Sequence, residues 1–316
     1  MALAACALVV SASAQAQQAY PNRPIRFILP YATGGGTDAA ARLFGQKLSE
    51  AFGHQVVVDN RAGAGGIIGF ELAAKALPDG YTLVMAAVNF TVLPSLHKKL
   101  PYDTVRDFAP VSLLVAYPHL LVVHPSVAVT SVKELLALAK AKPGQLNYAS
   151  SGTGSVAHIT AELFKSLAGV NLVHVSYKGT GPAMIGLLAG EAGIAFHSVS
   201  ATAPHVRAGR LRALAATSDK RATSFPDLPT IAEAGVPGYE ASNWAGVLAP
   251  AGTPRPIIAR LHAELMRILK LPDVGQRLAA SDFELVGNTP EEFGALISKE
   301  VVKWGKVAKG AGISSN

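Results

Sequence analysis

Cysteine is nearly missing from this chain: 316 residues hold one, Cys6. It lies in an N-terminal run, MALAACALVVSASAQAQQAYP, that reads as an export signal ending in an A-x-A site at Ala14-Gln15-Ala16. Cleavage after Ala16 is expected, so residues 1–16 are a signal peptide. The mature chain then has no thiol for a disulfide, a thiolate metal site or a nucleophile. Leu3 to Cys6 looks like a lipoprotein box, but the apolar region follows that cysteine instead of preceding it, and plain secretion is preferred. The run is too short for a membrane span, and no later stretch reaches that length. Charge is sparse too, at 16% of residues, with 28 Lys and Arg against 21 Asp and Glu. The net +7 favours anionic partners, but the basic residues are scattered. A nucleic-acid groove needs clustered Lys and Arg with stacking aromatics, so nucleic acid is not an expected partner. H-E-x-x-H and G-x-S-x-G are absent and the histidines lack metal spacing, so neither a metal nor a cofactor is expected.

What the chain does have is apolar residues, half of the total, and glycine-rich turns between strands and helices. Ile25 to Leu29 reads as a strand, Gly34-Gly35-Gly36 as a sharp turn, and Thr37 or Asp38 as the cap of a following helix. Leu146 to Phe164 repeats the device: a strand to Ala149, a Ser/Gly turn, then a helix from about Ser155. A strand, glycines and a helix N-terminus form an anion site, because free N–H groups and the helix dipole point the same way. Each turn alone could equally be an ordinary βα connection. Two of them suggest two jaws closing on one small anion.

Strands and helices alternate through HQVVVD, the turn NRAGAGGIIG and YTLVMA, with Asn89 just past the third strand. This alternation argues for an α/β fold of mostly parallel sheets covered by helices. Phe108 to Val123 holds two extended runs broken at Tyr117-Pro118-His119, and Ser131 with Glu134 forms a capping box. His197-Ser198 ends a further strand, and long amphipathic helices span Pro254 to Leu269 and Pro290 to Lys309, the second with Thr289 as its cap. Ligands of open α/β sheets bind beyond the carboxyl ends of the strands. If both jaws face one cleft, the chain crosses between two lobes twice. The expected crossings are near Leu121 to Pro125 and Ser242 to Val247. Lobe 1 is then residues 20–121 and 246–316, and lobe 2 is 122–245.

The runs PIRFILPYATGGGTDAAARLFGQKLSEAFGHQVVVDNRAGAGGIIG, ALPDGYTLVMA, KKLPYDTVRDFAPVSLL, NYASSGTGSVAHITAELF, SYKGTGPAM and SFPDLPTIAEAGVPGYEASNWAGVLAPAGTP carry a resemblance across the mature chain. Together they resemble Bug-type receptors, the periplasmic solute-binding proteins of tripartite tricarboxylate transporters. The resemblance implies a two-lobed type II periplasmic-binding-protein fold, a monomer that closes on a small carboxylate and presents the closed form to membrane transporter subunits. It implies ligand contacts from Tyr31, Thr33, Gly35, Gly36, Thr37 and Asp38 in the first loop. It implies the same for Ser150, Ser151, Gly152, Thr153, Gly154 and Ser155 in the second. Two positions depart from the family pattern: Gly186 and His197 stand where acids are common. A histidine in place of an acid would ease entry of a second carboxylate or another acceptor.

Asn89, His158, Tyr177, His197 and Ser198 complete the candidate contacts. His158 could instead brace the second loop. Asp38 would repel a carboxylate, which favours a role as cap, loop brace or partner of a ligand ammonium. Trp244 reads as packing at the return crossing, and Lys178 as a solvated side chain. The enzyme alternative is a nicotinamide-dependent one, since Gly152-Thr153-Gly154-Ser155-Val156-Ala157 matches G-x-G-x-x-A. That site needs an acid at the end of the next strand, and LVHVS has none. A receptor without catalytic activity is the expected function.

Overall fold

Short apolar runs and glycine turns set most element boundaries in the computed structural model, which describes residues 20–280 and 282–311. The expected signal peptide, with Cys6, lies outside the described residues. The first half builds β1 (Ile25–Leu29), α1 (Gly36–Phe52), β2 (Val56–Asn60), α2 (Ile67–Ala74), β3 (Thr82–Ala87), α3 (Asn89–Leu96) and β4 (Phe108–Tyr117). The middle builds β5 (His119–Val123), α4 (Val132–Ala141), β6 (Asn147–Ser150), α5 (Val156–Ala168), β7 (Val173–Ser176), α6 (Thr180–Leu188), β8 (Ile194–Ser198), α7 (Val199–Arg207) and β9 (Arg212–Ala216). The remainder is β10 (Asn243–Pro250), α8 (Arg255–Leu269), α9 (Pro272–Ala279), β11 (Glu284–Leu285) and α10 (Pro290–Ala311).

Two sheets result, with strand orders β11-β4-β10-β3-β1-β2 and β7-β6-β8-β5-β9. The sheets are mixed, not mostly parallel. The βα units pair in parallel (β1 with β2 and β3; β6 with β7 and β8), while the other pairings are antiparallel. The cause is the path of the chain: β4, β5, β9 and β10 carry it between the sheets and run back along their neighbours. The first passage is at Pro118, between β4 and β5, and the return is complete at Asn243. The segment Leu121 to Pro125 therefore lies within and just after β5.

Alternation along β1 covers both faces of the first sheet, as a strand's period of two requires. Ile25, Phe27 and Leu29 pack with Phe44 of α1, whereas Ile28 packs with Phe70 and Val84. The second of these clusters continues through Leu93 and Leu96 of α3 to Phe164 of α5 and Phe196 of the other sheet. Helix caps follow the sequence in three places. Ser131 Oγ accepts from Glu134 N at 3.2 Å, Ser155 Oγ from His158 N at 3.3 Å and Thr289 Oγ1 from Glu292 N at 3.2 Å. The cap of α1 is a correction. Gly35 is its N-cap and Thr37 and Asp38 lie inside the first turn, because both side chains are held elsewhere. Helices α3 and α9 and strand β11 had no distinct sequence signal: α3 carries Pro94 inside it, and β11 is two residues long.

Candidate ligand-binding cleft

Five helices present their N-caps to one cleft of about 480 Å³, lined by both halves of the chain. The caps are Gly35 of α1, Gly66 of α2, Ser155 of α5, Gly179 of α6 and Ser198 of α7. All five residues line the cleft. Each helix leaves its first N–H groups without intrahelical partners and adds a partial positive charge there. The cleft is thus electropositive with few fixed cations: Lys178 is the one lysine or arginine among its lining residues, and it is exposed.

The halves meet closely across this space. A Cβ on Gly179 would lie 2.5 Å from the Ala32 Cβ, and one on Gly65 would lie 2.8 Å from the Thr153 carbonyl oxygen. Both glycines also have positive φ, +116° and +66°, which other residues rarely adopt. Glycine here is what lets the first-half and second-half loops touch.

Of the expected contacts, Tyr31, Gly35, Thr37, Asp38, Ser151, Gly152, Thr153, Ser155, Tyr177, His197 and Ser198 line the cleft. Thr33, Gly36, Asn89, Ser150, Gly154 and His158 stand outside its lining, and most of them hold the residues that do line it. Fully buried Asn89 accepts from Tyr31 Oη at 2.7 Å and donates to the Gly65 carbonyl at 2.6 Å. It thereby ties two loops together. Tyr31 Oη also accepts from Ala87 N, so its ring faces the cleft while its hydroxyl does not reach for ligand; burial pushes that hydroxyl's pKa well up. Gly36 packs under Tyr117 and Ser198, and Thr33 is exposed.

Behind the second loop, Ser150 Oγ bonds His174 Nε2 at 2.6 Å and accepts from Gly152 N at 3.1 Å. His158 Nδ1 accepts from Gly154 N at 3.2 Å, and its ring stacks on His174 at 4.3 Å. His174 stacks in turn on Tyr148 at 4.9 Å. Burial, followed by the neighbouring His158, lowers His174 to about 4, and burial lowers His158 as well. His158 is thus placed as a brace of the loop.

Asp38 is placed as a brace too. Its carboxylate accepts from Gly34 N, Arg42 and Asn60 at 3.0–3.2 Å, which satisfies its charge within the first half. Trp244 lies away from the cleft: it packs edge-on against Phe293 and donates to Glu300 at 3.0 Å.

Three lining residues had weak or absent signals in the sequence. Tyr117 Oη accepts from Asn243 Nδ2 at 2.6 Å and bonds Thr37 Oγ1 at 2.8 Å, joining β4, β10 and α1 at the floor. His119 lines the cleft beside His197. The break at Tyr117-Pro118-His119 marked the place, whereas nothing near Asn243 did. The glycine turn after β2 was visible, and Gly63 to Gly66 prove to be wall. Burial, then the nearby His197, lowers His119 to about 3, and burial lowers His197 to about 4. Strand β7 ends on Ser176, so a hydroxyl stands where a dinucleotide site would have its carboxylate.

A profile of the tripartite tricarboxylate transporter family receptor, TctC, matches residues 40–313. The chain belongs to this receptor family. BugT of Bordetella pertussis is 39% identical to it over 299 residues, covering 93% of this chain and 90% of that protein. Among TctC-like solved structures, R. palustris Rpa4515 with adipate superposes with a TM-score of 0.89 at 37% identity, covering 93% of this chain and 98% of that one. MatC from Rhodopseudomonas palustris with bound malate gives 0.87 at 32% identity, covering 91% and 99%. The TctC receptor fold, two mixed sheets with helices around one cleft, is therefore shared. TctC-family neighbours are periplasmic binding proteins, and this receptor takes its place among them.

Proposed function

We propose that this receptor captures a small organic carboxylate in the cleft, in the periplasm, and delivers it to membrane transporter subunits without making or breaking a bond. The observation that carries the reading is the convergence of five helix N-termini on a space with no free acid. Backbone N–H groups at Gly36, Thr37, Val156 and Ala157 and the hydroxyls of Thr37, Ser151, Thr153 and Ser155 are the proposed carboxylate donors. Asn89, Ser150, Gly154 and His158 support them from behind. The adipate and malate of the two R. palustris relatives have the same chemistry. Export through residues 1–16 and a monomeric state belong to this proposal.

The two sheets are the proposed lobes, joined by the passage at Pro118 and by the return before Asn243. Closing is a hinge motion of the kind that solute receptors use. To turn a mostly open protein into a mostly closed one, the ligand must favour the closed form by roughly 5 kcal/mol. Two or three charge-assisted hydrogen bonds, each about 1.5–3 kcal/mol, suffice.

Thermal-shift titration of refolded protein against mono-, di- and tricarboxylates, amino acids and NAD tests the reading. A shift confined to carboxylates is expected. No shift with any acid, together with one for NAD, would overturn it in favour of an enzyme.

A further inference from the structure

Gly35, Gly65 and Gly179 all sit where the two halves meet, and Gly35 alone among them has no backbone reason to be glycine. Gly65 and Gly179 hold positive φ, but Gly35 is extended, at φ −93° and ψ 170°, which any residue adopts. What glycine avoids there is a collision across the cleft. Gly35 is the N-cap of α1, and a Cβ on it would lie 3.2 Å from the hydroxyl oxygen of Thr180 and 3.9 Å from the Thr180 Cβ. Thr180 is the first residue of α6, on the other half. The bare cap residue therefore lets that hydroxyl come down over the start of α1.

Thr180 lines the cleft and is partly exposed. Its hydroxyl makes no hydrogen bond to another described residue, whereas the hydroxyls of Thr37, Ser155 and Ser198 each have a protein partner. The N–H groups of Gly36 and Thr37, directly after the Gly35 cap, are among the proposed donors to the ligand carboxylate. A carboxylate oxygen accepts more than one hydrogen bond, and a threonine has one O–H to give. That O–H stands beside the first loop but belongs to the second half, so it is in reach of the same carboxylate only while the halves are together.

We infer that Thr180 is a ligand-binding residue whose hydroxyl donates, across the cleft, to the carboxylate held at the start of α1. The inference rests on the carboxylate-receptor reading and adds to it a donor from the second half. One carboxylate is then shared by both halves. Opening withdraws the hydroxyl, so this bond belongs to the closed form alone, and a ligand shifts the open–closed balance only through such differences. Gly35 is the positioning residue of the pair, because it leaves the space that the hydroxyl enters.

The test is isothermal titration with butanoate, succinate, malate and benzoate, beside melting of the ligand-free proteins. Thr180→Val keeps the shape and removes the hydroxyl. It should weaken every acid that the unaltered protein binds by about tenfold, the worth of one charge-assisted hydrogen bond, and leave the ligand-free melting temperature in place. Thr180→Ser, which keeps the hydroxyl, should recover most of that loss. Gly35→Ala needs no change of backbone and should also weaken binding, because its methyl displaces the hydroxyl. Thr180→Val added to Gly35→Ala should then cost little more, since both remove the same bond. Full affinity in Thr180→Val would overturn the inference and leave the receptor reading standing. So would a Thr180→Ser variant as weak as Thr180→Val, or losses that add in the double variant. Binding of none of the four acids by the unaltered protein would overturn both.

Discussion

Gly186 shows how one residue without a side chain shapes a cleft it does not line. It is buried in α6, and a Cβ there would sit 2.2 Å from the Tyr177 hydroxyl oxygen. Its absence lets Tyr177 lie back over the helix and donate to Glu191 at 3.0 Å. Tyr177 lines the cleft, so the position of its ring sets part of the free volume. Gly186→Ala should displace Tyr177 and lower stability by about 1–3 kcal/mol, the usual cost of overpacking. Urea denaturation measures that cost, and a structure of the variant shows where the ring goes. An unmoved Tyr177 would contradict the argument. At the same scale, Asp38 shows that an acid beside an anion site need not repel its ligand, because its charge is already committed to Arg42 and two N–H donors of the loop and Asn60.

Helix α10 returns from the end of the chain to lock the first sheet. Glu300 is its key residue, accepting from Trp244 Nε1 of β10 and from Thr91 Oγ1 of α3, each at 3.0 Å. Burial raises its pKa above the ordinary glutamate value. One acceptor therefore fastens three elements. Glu300→Ala leaves the Trp244 N–H without its acceptor, while the Thr91 hydroxyl keeps the Val88 carbonyl at 2.7 Å, and a loss of about 1–3 kcal/mol in chemical denaturation is expected. Glu300→Gln keeps an acceptor and should cost clearly less. Equal losses would show that packing, not the acceptor, holds α10. Elements like α3 owe their form to such contacts. NFTVLPSL has β-branched residues and a proline, and it is helical because α10 and the loops at Gly65 pack against it.

At the scale of the whole molecule, buried histidines make stability depend on pH. His197 titrates near 4 and His119 near 3 in the folded protein, against about 6.5 when unfolded. Both folded values are depressed, so below pH 6.5 the unfolded chain binds more protons. The stability contributed by the neutral rings is complete above pH 6.5 and is lost as pH falls from there toward 4 and 3. For His197 the loss reaches on the order of 3 kcal/mol by pH 4. The melting temperature should hold level between pH 7.5 and 6.5 and then drop. His197→Asn should flatten that drop. An unchanged slope would place the acid sensitivity elsewhere. Ligand capture belongs to this scale as well, since no single loop forms the cleft and the loops of the two halves approach closely where glycine permits, at Gly65 and Gly179.

The sequence by itself determined the βα devices: the runs Ile25 to Leu29 and Leu146 to Ala149, the glycines after them, the caps at Ser131, Ser155 and Thr289, and the α/β class. Those signals are local, because a turn's φ, a cap's hydrogen bond and a strand's alternation are written in neighbouring residues. Most of the expected cleft residues were legible for the same reason, as they sit on those turns. Only the tertiary structure decided that the sheets are mixed and that the passage lies at Pro118. It also separated wall from brace, placing Tyr31 and Ser151 on the cleft and Asn89 and His158 behind it. His119, Tyr117 and Asn243 come together from β5, β4 and β10, and the partners of each lie far away in sequence. Packing chooses among such distant pairings by burial and hydrogen-bond satisfaction across the whole chain, which no local stretch records.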